Sequence, residues 1–219
     1  MKEYKISVIL NILIVLFVIM GCSFMLTGFR FMPAGAILEV SNLGMFKFFT
    51  VDSNVFLGIV SLIFLIYEIL VIKKIKKGIP EVVYVLKLMA TAGITLTFIT
   101  TLVFLAPQYG FYSMYNNSNL FLHLLIPLLA IITYILFEKH DNKYKYAFFG
   151  ILPMFVYGIY YTLNIVAHLN SGGLTFKYDF YGFLQGNIYN AFIVFPIMCL
   201  ITYLLSVLLI FLNKRIKTH

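Results

Sequence analysis

Apolar residues run along the chain in long, almost unbroken stretches that are separated by short polar segments. A helix needs about 20 apolar residues to cross the hydrocarbon core of a bilayer. Six stretches reach that length, over residues 6–29, 46–72, 82–106, 119–137, 146–168 and 187–212. The pattern predicts an all-α fold, a polytopic membrane bundle of six transmembrane helices that forms a single domain over residues 1–219.

The composition supports a membrane protein. Hydrophobic residues make up 62% of the chain and charged residues only 11%, whereas a soluble domain carries roughly 25% charged residues. The six stretches use most of the chain, so little remains for a soluble domain. Any chemistry must therefore be carried by the helices and their short connections.

The basic residues predict the orientation in the membrane, because Lys and Arg in short loops stay on the cytoplasmic side. One face carries only Arg30, Lys47 and Lys177, and Lys87 lies close to the opposite face. The N- and C-termini are therefore predicted to be cytoplasmic in a multi-pass protein of the cell membrane. The net charge of +8 then reflects topology and contact with anionic membrane lipids, and no nucleic-acid partner is expected. The basic residues of the cytoplasmic side are Lys2 and Lys5, then Lys73, Lys74, Lys76 and Lys77, then Lys139, Lys143 and Lys145, then Lys214, Arg215 and Lys217.

The N-terminal segment has a basic start and a long apolar run, as a secretory signal does. The run is longer than a typical signal core and predicts a retained first helix, in which Gly21 and Cys22 allow close helix packing. Cleavage before a lipidated Cys22 is the alternative. Cys22 and Cys199 both lie in apolar stretches and are interpreted as small apolar residues. No metal site and no cofactor are expected.

Polar side chains within the predicted helices concentrate near one end of the bundle, the predicted outer end. A polar group in the hydrocarbon is costly and usually faces the bundle interior or a wet cavity. The inner halves of the same helices are almost entirely apolar apart from Glu68, which we expect to extend toward Lys73 at the surface. The outer polar residues are Thr50, Ser53 and Asn54 in the second helix, Asn119 and His123 in the fourth, Tyr157, Tyr161, Asn164 and His168 in the fifth, and Gln185, Asn187 and Asn190 at the sixth.

This outer layer predicts either a pocket or a set of hydrogen bonds that hold the helices together. The pocket interpretation is favoured because the layer contains a hydroxyl of Thr50 and an imidazole of His123. A threonine hydroxyl becomes an effective nucleophile when a neighbouring base removes its proton. Asn54, Asn119, Asn164 or backbone N–H groups at the start of the second helix are candidate donors to a developing oxyanion. Tyr161 and Asn190 are candidate supporting residues.

Three titratable residues near this layer have both a functional and a structural interpretation. Asp52 lies about 200° around a regular helix from Thr50, so it either orients the histidine from an irregular helix start or interacts with the helix dipole. His168 is either a substrate contact beside Asn164 or a hydrated interfacial residue. Arg30 either holds a lipid carboxylate or extends to phosphate headgroups.

The segments "FKFFTVDSN" in the second helix and "HLLIP" in the fourth resemble the androgen-induced and androgen-dependent TFPI-regulating proteins and their prokaryotic six-span relatives. This family uses a membrane-embedded threonine and histidine to hydrolyse esters of fatty acids with hydroxy fatty acids. The resemblance implies that Thr50 is the nucleophile and His123 the second catalytic residue. The animal proteins carry an acidic or amide residue shortly after the threonine, where this chain has Asp52, Ser53 and Asn54.

Two functions remain open from the sequence. The first is a membrane-embedded hydrolase of lipid esters with its pocket near the outer leaflet. The second is a non-catalytic protein that binds or transports a lipid or small solute. The polar residues lie on one side of the membrane, and the helices have few Gly or Pro interruptions at mid-depth, which favours the enzyme or a one-sided receptor over a transporter. The sequence does not indicate the oligomeric state.

Overall fold

The computed structural model describes residues 2–33, 42–138, 140–141 and 143–217. Six helices are long and apolar enough to cross a membrane, and none of the residues in those ranges lies in a β-strand. The predicted all-α bundle of six transmembrane helices is therefore confirmed. The helices are α1 (Tyr4–Thr27), α2 (Phe49–Ile72), α3 (Glu81–Tyr109), α4 (Asn117–Leu136), α5 (Tyr144–Ala167) and α6 (Ile188–Ile216).

Successive helices run in opposite directions, as contacts between their ends show. Lys87, in the first two turns of α3, contacts Asn11 near the start of α1 and Glu138 just after α4. Thr50 and His123, near the starts of α2 and α4, line one cavity. We call the end that carries the starts of α2, α4 and α6 the outer end, and the opposite end, which carries the start of α1, the inner end.

Helix α3 is the centre of the bundle and packs against α2, α4, α5 and α6. In the most apolar 18 residues of α3, 61% of the residues are buried, whereas the corresponding fraction is 28% in α1 and 28% in α6. The peripheral helices therefore keep a broad apolar surface exposed, as lipid-facing helices must. Gly21 of α1 brings that helix close to α4, because a Cβ at this position would lie 3.1 Å from Phe121 and Leu122 side chains. This agrees with the close-packing interpretation of Gly21.

Two π turns interrupt the regular hydrogen bonding near the outer end, at Thr101–Leu105 in α3 and Phe121–Leu125 in α4. Each is followed within two residues by a proline, Pro107 or Pro127. Proline lacks an N–H group and cannot donate the hydrogen bond that a regular helix requires. A widened turn before each proline is the local consequence.

The connection between α5 and α6, residues 169–187, folds back over the outer end, and we call it the aromatic cap. Phe180 and Tyr181 of the cap pack edge-on against Phe48, which directly precedes α2. Phe180 also packs edge-on against Tyr161 of α5. The cap therefore covers the place where α2 begins.

Candidate functional site

Thr50 and His123 come from different helices and line the same small cavity at the outer end. The cavity has a volume of about 40 Å³, which is room for roughly three water molecules. It therefore accommodates a reacting group rather than a whole lipid chain. The remaining lining residues are Asn119 and Tyr181 together with the apolar Met25, Phe48, Val51, Leu105, Met114 and Leu122.

Thr50 is placed by the first turn of α2. Phe48, two residues before Thr50, has an extended backbone (φ −92°, ψ 130°), so the helix begins at Phe49. The backbone carbonyl of Thr50 accepts hydrogen bonds from Ser53 Oγ at 3.1 Å and from Asn54 Nδ2 at 2.7 Å. The N–H of Val51 donates to the Phe48 carbonyl at 3.0 Å, whereas the N–H groups of Phe49 and Thr50, at the first two positions of the helix, have no acceptor within it. The Thr50 hydroxyl therefore lies at the N-terminal end of α2, where the helix dipole stabilises a developing negative charge.

The π turn of α4 explains how Asn54 links α2 to the turn that carries His123. The N–H of Ile126 donates to the carbonyl of Phe121, five residues back, instead of to that of Leu122. The next residue, Pro127, has no N–H, so the Leu122 carbonyl has no donor within its own helix. Asn54 Nδ2 donates to that carbonyl at 3.0 Å.

Both N–H groups of the Asn54 side chain are used in these two bonds, to the carbonyls of Thr50 and Leu122. The residue therefore positions α2 against α4 and does not serve as an oxyanion donor. Ser53 has a similar role toward α3, since its Oγ lies 3.1 Å from Thr97 Oγ1. The outer layer is thus both a cavity and a set of interhelical hydrogen bonds.

The tautomer of His123 follows from its hydrogen bond. Its Nδ1 lies 3.0 Å from the backbone carbonyl of Met114. A carbonyl oxygen only accepts, so Nδ1 must carry the proton and Nε2 of the neutral ring is left as an acceptor. The ring is buried, at 7% exposed. His123 is therefore held as an imidazole with the nitrogen that a general base needs.

Tyr181 of the aromatic cap is a member of the site that the sequence reasoning did not single out. It lines the cavity together with Thr50 and His123, and its hydroxyl lies close to the Thr50 side chain and to Tyr157. Burial raises the pKa of Tyr181 to about 12, while the neighbouring Thr50 side chain acts in the opposite direction. The phenol therefore stays protonated at neutral pH and can donate a hydrogen bond beside the threonine hydroxyl. The clustering of Tyr and Phe in "KYDFYGF" is the sequence signal that marks this segment.

The aromatic cap is anchored by Tyr161 and Asp179. The Tyr161 hydroxyl donates to Asp179 Oδ1 at 2.6 Å and accepts from the N–H of Tyr181 at 3.2 Å. The other carboxyl oxygen of Asp179 accepts from the N–H of Leu184 at 3.0 Å. Tyr161 is therefore a positioning residue that holds Tyr181 over the cavity.

We expect Asp179→Ala to loosen the aromatic cap, because it leaves the buried Tyr161 hydroxyl and Leu184 N–H without an acceptor. Hydrogen bonds to a charged group are each worth about 1.5–3 kcal/mol. Trypsin cleavage after the exposed Lys177 should accelerate by roughly 10- to 100-fold, since cleavage follows the population of the open cap. The exposed substitution Asn170→Ala is the control, and equal cleavage rates in both variants would contradict the anchoring role.

Asp52 does not belong to the cavity. It faces a separate apolar groove of about 430 Å³ between α2, α3 and α5, with Phe56, Pro153 and Tyr160 among its lining residues. The carbonyl of Met114, rather than a carboxylate, binds Nδ1 of His123. The hypothesis that Asp52 orients His123 is therefore wrong, because the regular start of α2 directs the carboxyl away from the threonine face.

The remaining predicted site residues lie outside the cavity lining, except Asn119, whose Nδ2 donates to the carbonyl of Ser113 at 3.3 Å. His168 Nδ1 bonds the backbone carbonyl of Asn164 at 2.7 Å, and its ring stacks on Tyr178. Asn190 Nδ2 donates to the carbonyl of Leu184 and secures the end of the aromatic cap. Arg30 is exposed beyond the end of α1.

A second polar cluster lies buried at the inner end, where the sequence predicted apolar packing. Glu68 does not extend toward the surface at Lys73, so that prediction is wrong. Its side chain is 1% exposed and accepts a hydrogen bond from Asn11 at 3.3 Å. Lys87 is not a surface cation either, since it is fully buried and lies 3.1 Å from Glu138. The polar groups of the bundle are therefore not confined to one end.

No protein-family model, no curated protein and no solved structure matches the chain.

Proposed function

We propose that this protein is a membrane-embedded hydrolase of lipid esters, of the type that joins a fatty acid to a hydroxy fatty acid. The observation that carries the proposal is the convergence of Thr50 and His123 on one small cavity, which Tyr181 also lines. These groups supply a nucleophile, a base and a hydrogen-bond donor, which is the set that acyl transfer requires.

In the proposed reaction, Thr50 Oγ1 attacks the ester carbonyl carbon while its proton passes to Nε2 of His123. The carbonyl π electrons move onto oxygen, which Tyr181 and the first-turn N–H groups of α2 stabilise. The ester C–O bond then breaks, and the leaving hydroxy fatty acid takes the proton from His123. Water, deprotonated by the same imidazole, hydrolyses the acyl-threonine and restores the enzyme.

The orientation and location belong to the same proposal. We propose that the inner end, with both termini, lies in the cytoplasm and that the cavity lies near the outer leaflet of the cell membrane, because the basic residues of the inner-end connections favour the cytoplasmic side. Membrane lipids surround the apolar faces of α1 and α6, and the lipid ester reaches the cavity when the aromatic cap opens.

The test is covalent labelling of the purified protein with a fluorophosphonate, which traps activated hydroxyl nucleophiles. We expect the wild type to be labelled at Thr50 and both Thr50→Ala and His123→Ala to lose labelling. Thr100→Ala is the matched control, because Thr100 lines the neighbouring cavity of about 30 Å³, which His123 does not line. A folded wild type that neither labels nor cleaves any fatty ester would overturn the hydrolase proposal.

The alternative is a non-catalytic protein that binds or transports a lipid or small solute. The buried ionic cluster at the inner end favours it, since ionisable residues within a bundle often mark ion or proton pathways. Under this alternative, a labelled lipid binds the wild type and Thr50→Ala with similar affinity, and no ester is cleaved.

A further inference from the structure

The inner cluster joins three helices and the segment just after α4 through one buried lysine. Lys87 Nζ of α3 lies 3.1 Å from Glu138 Oε1, and donates to Asn11 Oδ1 at 2.6 Å and Ser61 Oγ at 2.7 Å. These three contacts use the three donors of an ammonium group.

Asn11 connects the two carboxyl groups. Its Nδ2 lies 3.0 Å from Glu138 Oε1 and 3.3 Å from Glu68 Oε2. Ser7 of α1 lies on the same side, with its Oγ 3.3 Å from the Asn11 amide nitrogen, and its side chain is close to Glu68. Both carboxyl side chains are nearly completely buried, at 1% and 2% exposed.

The charges of the cluster do not balance if both carboxyl groups are ionised. One ammonium faces two carboxylates, which leaves a net charge of −1 in the interior of the bundle. An unpaired buried charge costs several kcal/mol, and a buried acid usually takes up a proton instead. A second observation points the same way, because Glu138 Oε2 is buried and has no hydrogen-bond partner among the described residues.

Within the part of the chain that the structure describes, Lys87 is the one cation that acts on both carboxyl groups. Tyr84 of α3 interacts with both carboxyl groups and with Tyr4 of α1, and its ring stacks on His140. Phe64 of α2 lies under the Lys87 ammonium at 5.6 Å. From α6, Asn213 donates only to backbone carbonyls, those of Glu138 and Tyr134.

We propose that the inner cluster is a proton-binding site, in which one of the carboxyl groups of Glu68 and Glu138 holds a proton beside the Lys87 ammonium. The proton forms an O–H bond on that carboxyl group, and the buried Glu138 Oε2 is an oxygen that can carry it. Binding the proton makes the cluster neutral, and its release leaves one negative charge in the bundle. The site is independent of the hydrolase activity proposed for the outer cavity.

The test is infrared spectroscopy of the full-length protein in lipid nanodiscs, with glutamate labelled by ¹³C at the side-chain carboxyl. The label separates a protonated glutamic acid from the aspartates and from the backbone. We expect the wild type at neutral pH to show one protonated glutamic acid per chain, which shifts in D₂O. Glu68→Gln and Glu138→Gln should each lose this band, because one carboxylate then balances one ammonium.

Glu81→Gln is the control, because Glu81 is an exposed glutamate that hydrogen-bonds to Tyr146 outside the cluster. It should keep the band. The wild-type spectrum decides the matter without any variant, since the absence of a protonated glutamic acid at neutral pH would overturn the proposal. A band that persists unchanged in folded Glu68→Gln and Glu138→Gln would overturn it as well.

Discussion

Replacing His123 with glutamine is expected to lower the turnover of a fatty-ester substrate by on the order of 10⁴-fold, the cost of removing the base from a nucleophile pair. Glutamine retains an amide N–H that can donate to the Met114 carbonyl, as Nδ1 of the histidine does at 3.0 Å. It cannot remove a proton from Thr50. The variant should therefore keep the packing of the site and lose its chemistry, as measured by hydrolysis under single-turnover conditions.

His168→Gln is the matched control for this experiment. His168 also presents Nδ1 to a backbone carbonyl, that of Asn164 at 2.7 Å, but it lies outside the cavity lining. Its replacement should change turnover by less than about threefold. Equal losses of activity in the two folded variants would show that the loss is not specific to His123. A fully active His123→Gln variant would show that His123 is not the base.

The sequence predicts the six helices well because their signal is local. Each span is a run of apolar residues whose length is fixed by the bilayer, so no knowledge of neighbouring helices is needed. The largest difference between a predicted and an observed helix end is in α6, which was predicted to end at residue 212 and extends to Ile216. That last turn carries Lys214 and Arg215, which can reach the headgroups from a helical position.

The outer cavity was predictable only in part. Thr50 and His123 were singled out by residue type and depth, and the fold brings them to one cavity. The role of Asn54 could not be read from spacing, because it depends on a carbonyl that the π turn before Pro127 leaves without a donor. Tyr181 was missed because it reaches Thr50 through a connection whose path is set by the buried Asp179.

The inner cluster was missed because its partners are far apart in sequence. Glu68 has a nearby cation in Lys73, and local reasoning assigned it to that neighbour. Its actual partner Asn11 lies 57 residues away, and Lys87 reaches Asn11 across 76 residues. Burial of a charge is a tertiary property, so only the packing of α1, α2 and α3 reveals it.

Lys87→Met is expected to be the most destabilising single substitution considered for this protein. Removing one partner of a buried ion pair leaves an uncompensated charge and costs about 3–5 kcal/mol of unfolding free energy. Here the substitution would leave Glu138 without its cation, and Asn11 and Ser61 without their hydrogen-bond donor. The free energy of unfolding is measured in lipid–detergent micelles by titration with a denaturing detergent.

The double variant Lys87→Met/Glu138→Gln separates charge imbalance from lost packing. It removes both charges of the pair while keeping the side-chain volumes similar, so its cost should be at least about 1.5 kcal/mol smaller than the sum of the two single costs. The exposed pair of Lys143 and Glu81, 3.9 Å apart, is the control, because Lys143→Met should cost less than about 1 kcal/mol. Strictly additive single costs at the buried pair would mean that Lys87 and Glu138 do not stabilise each other, and the inner cluster would then be a packing arrangement rather than an ionic one.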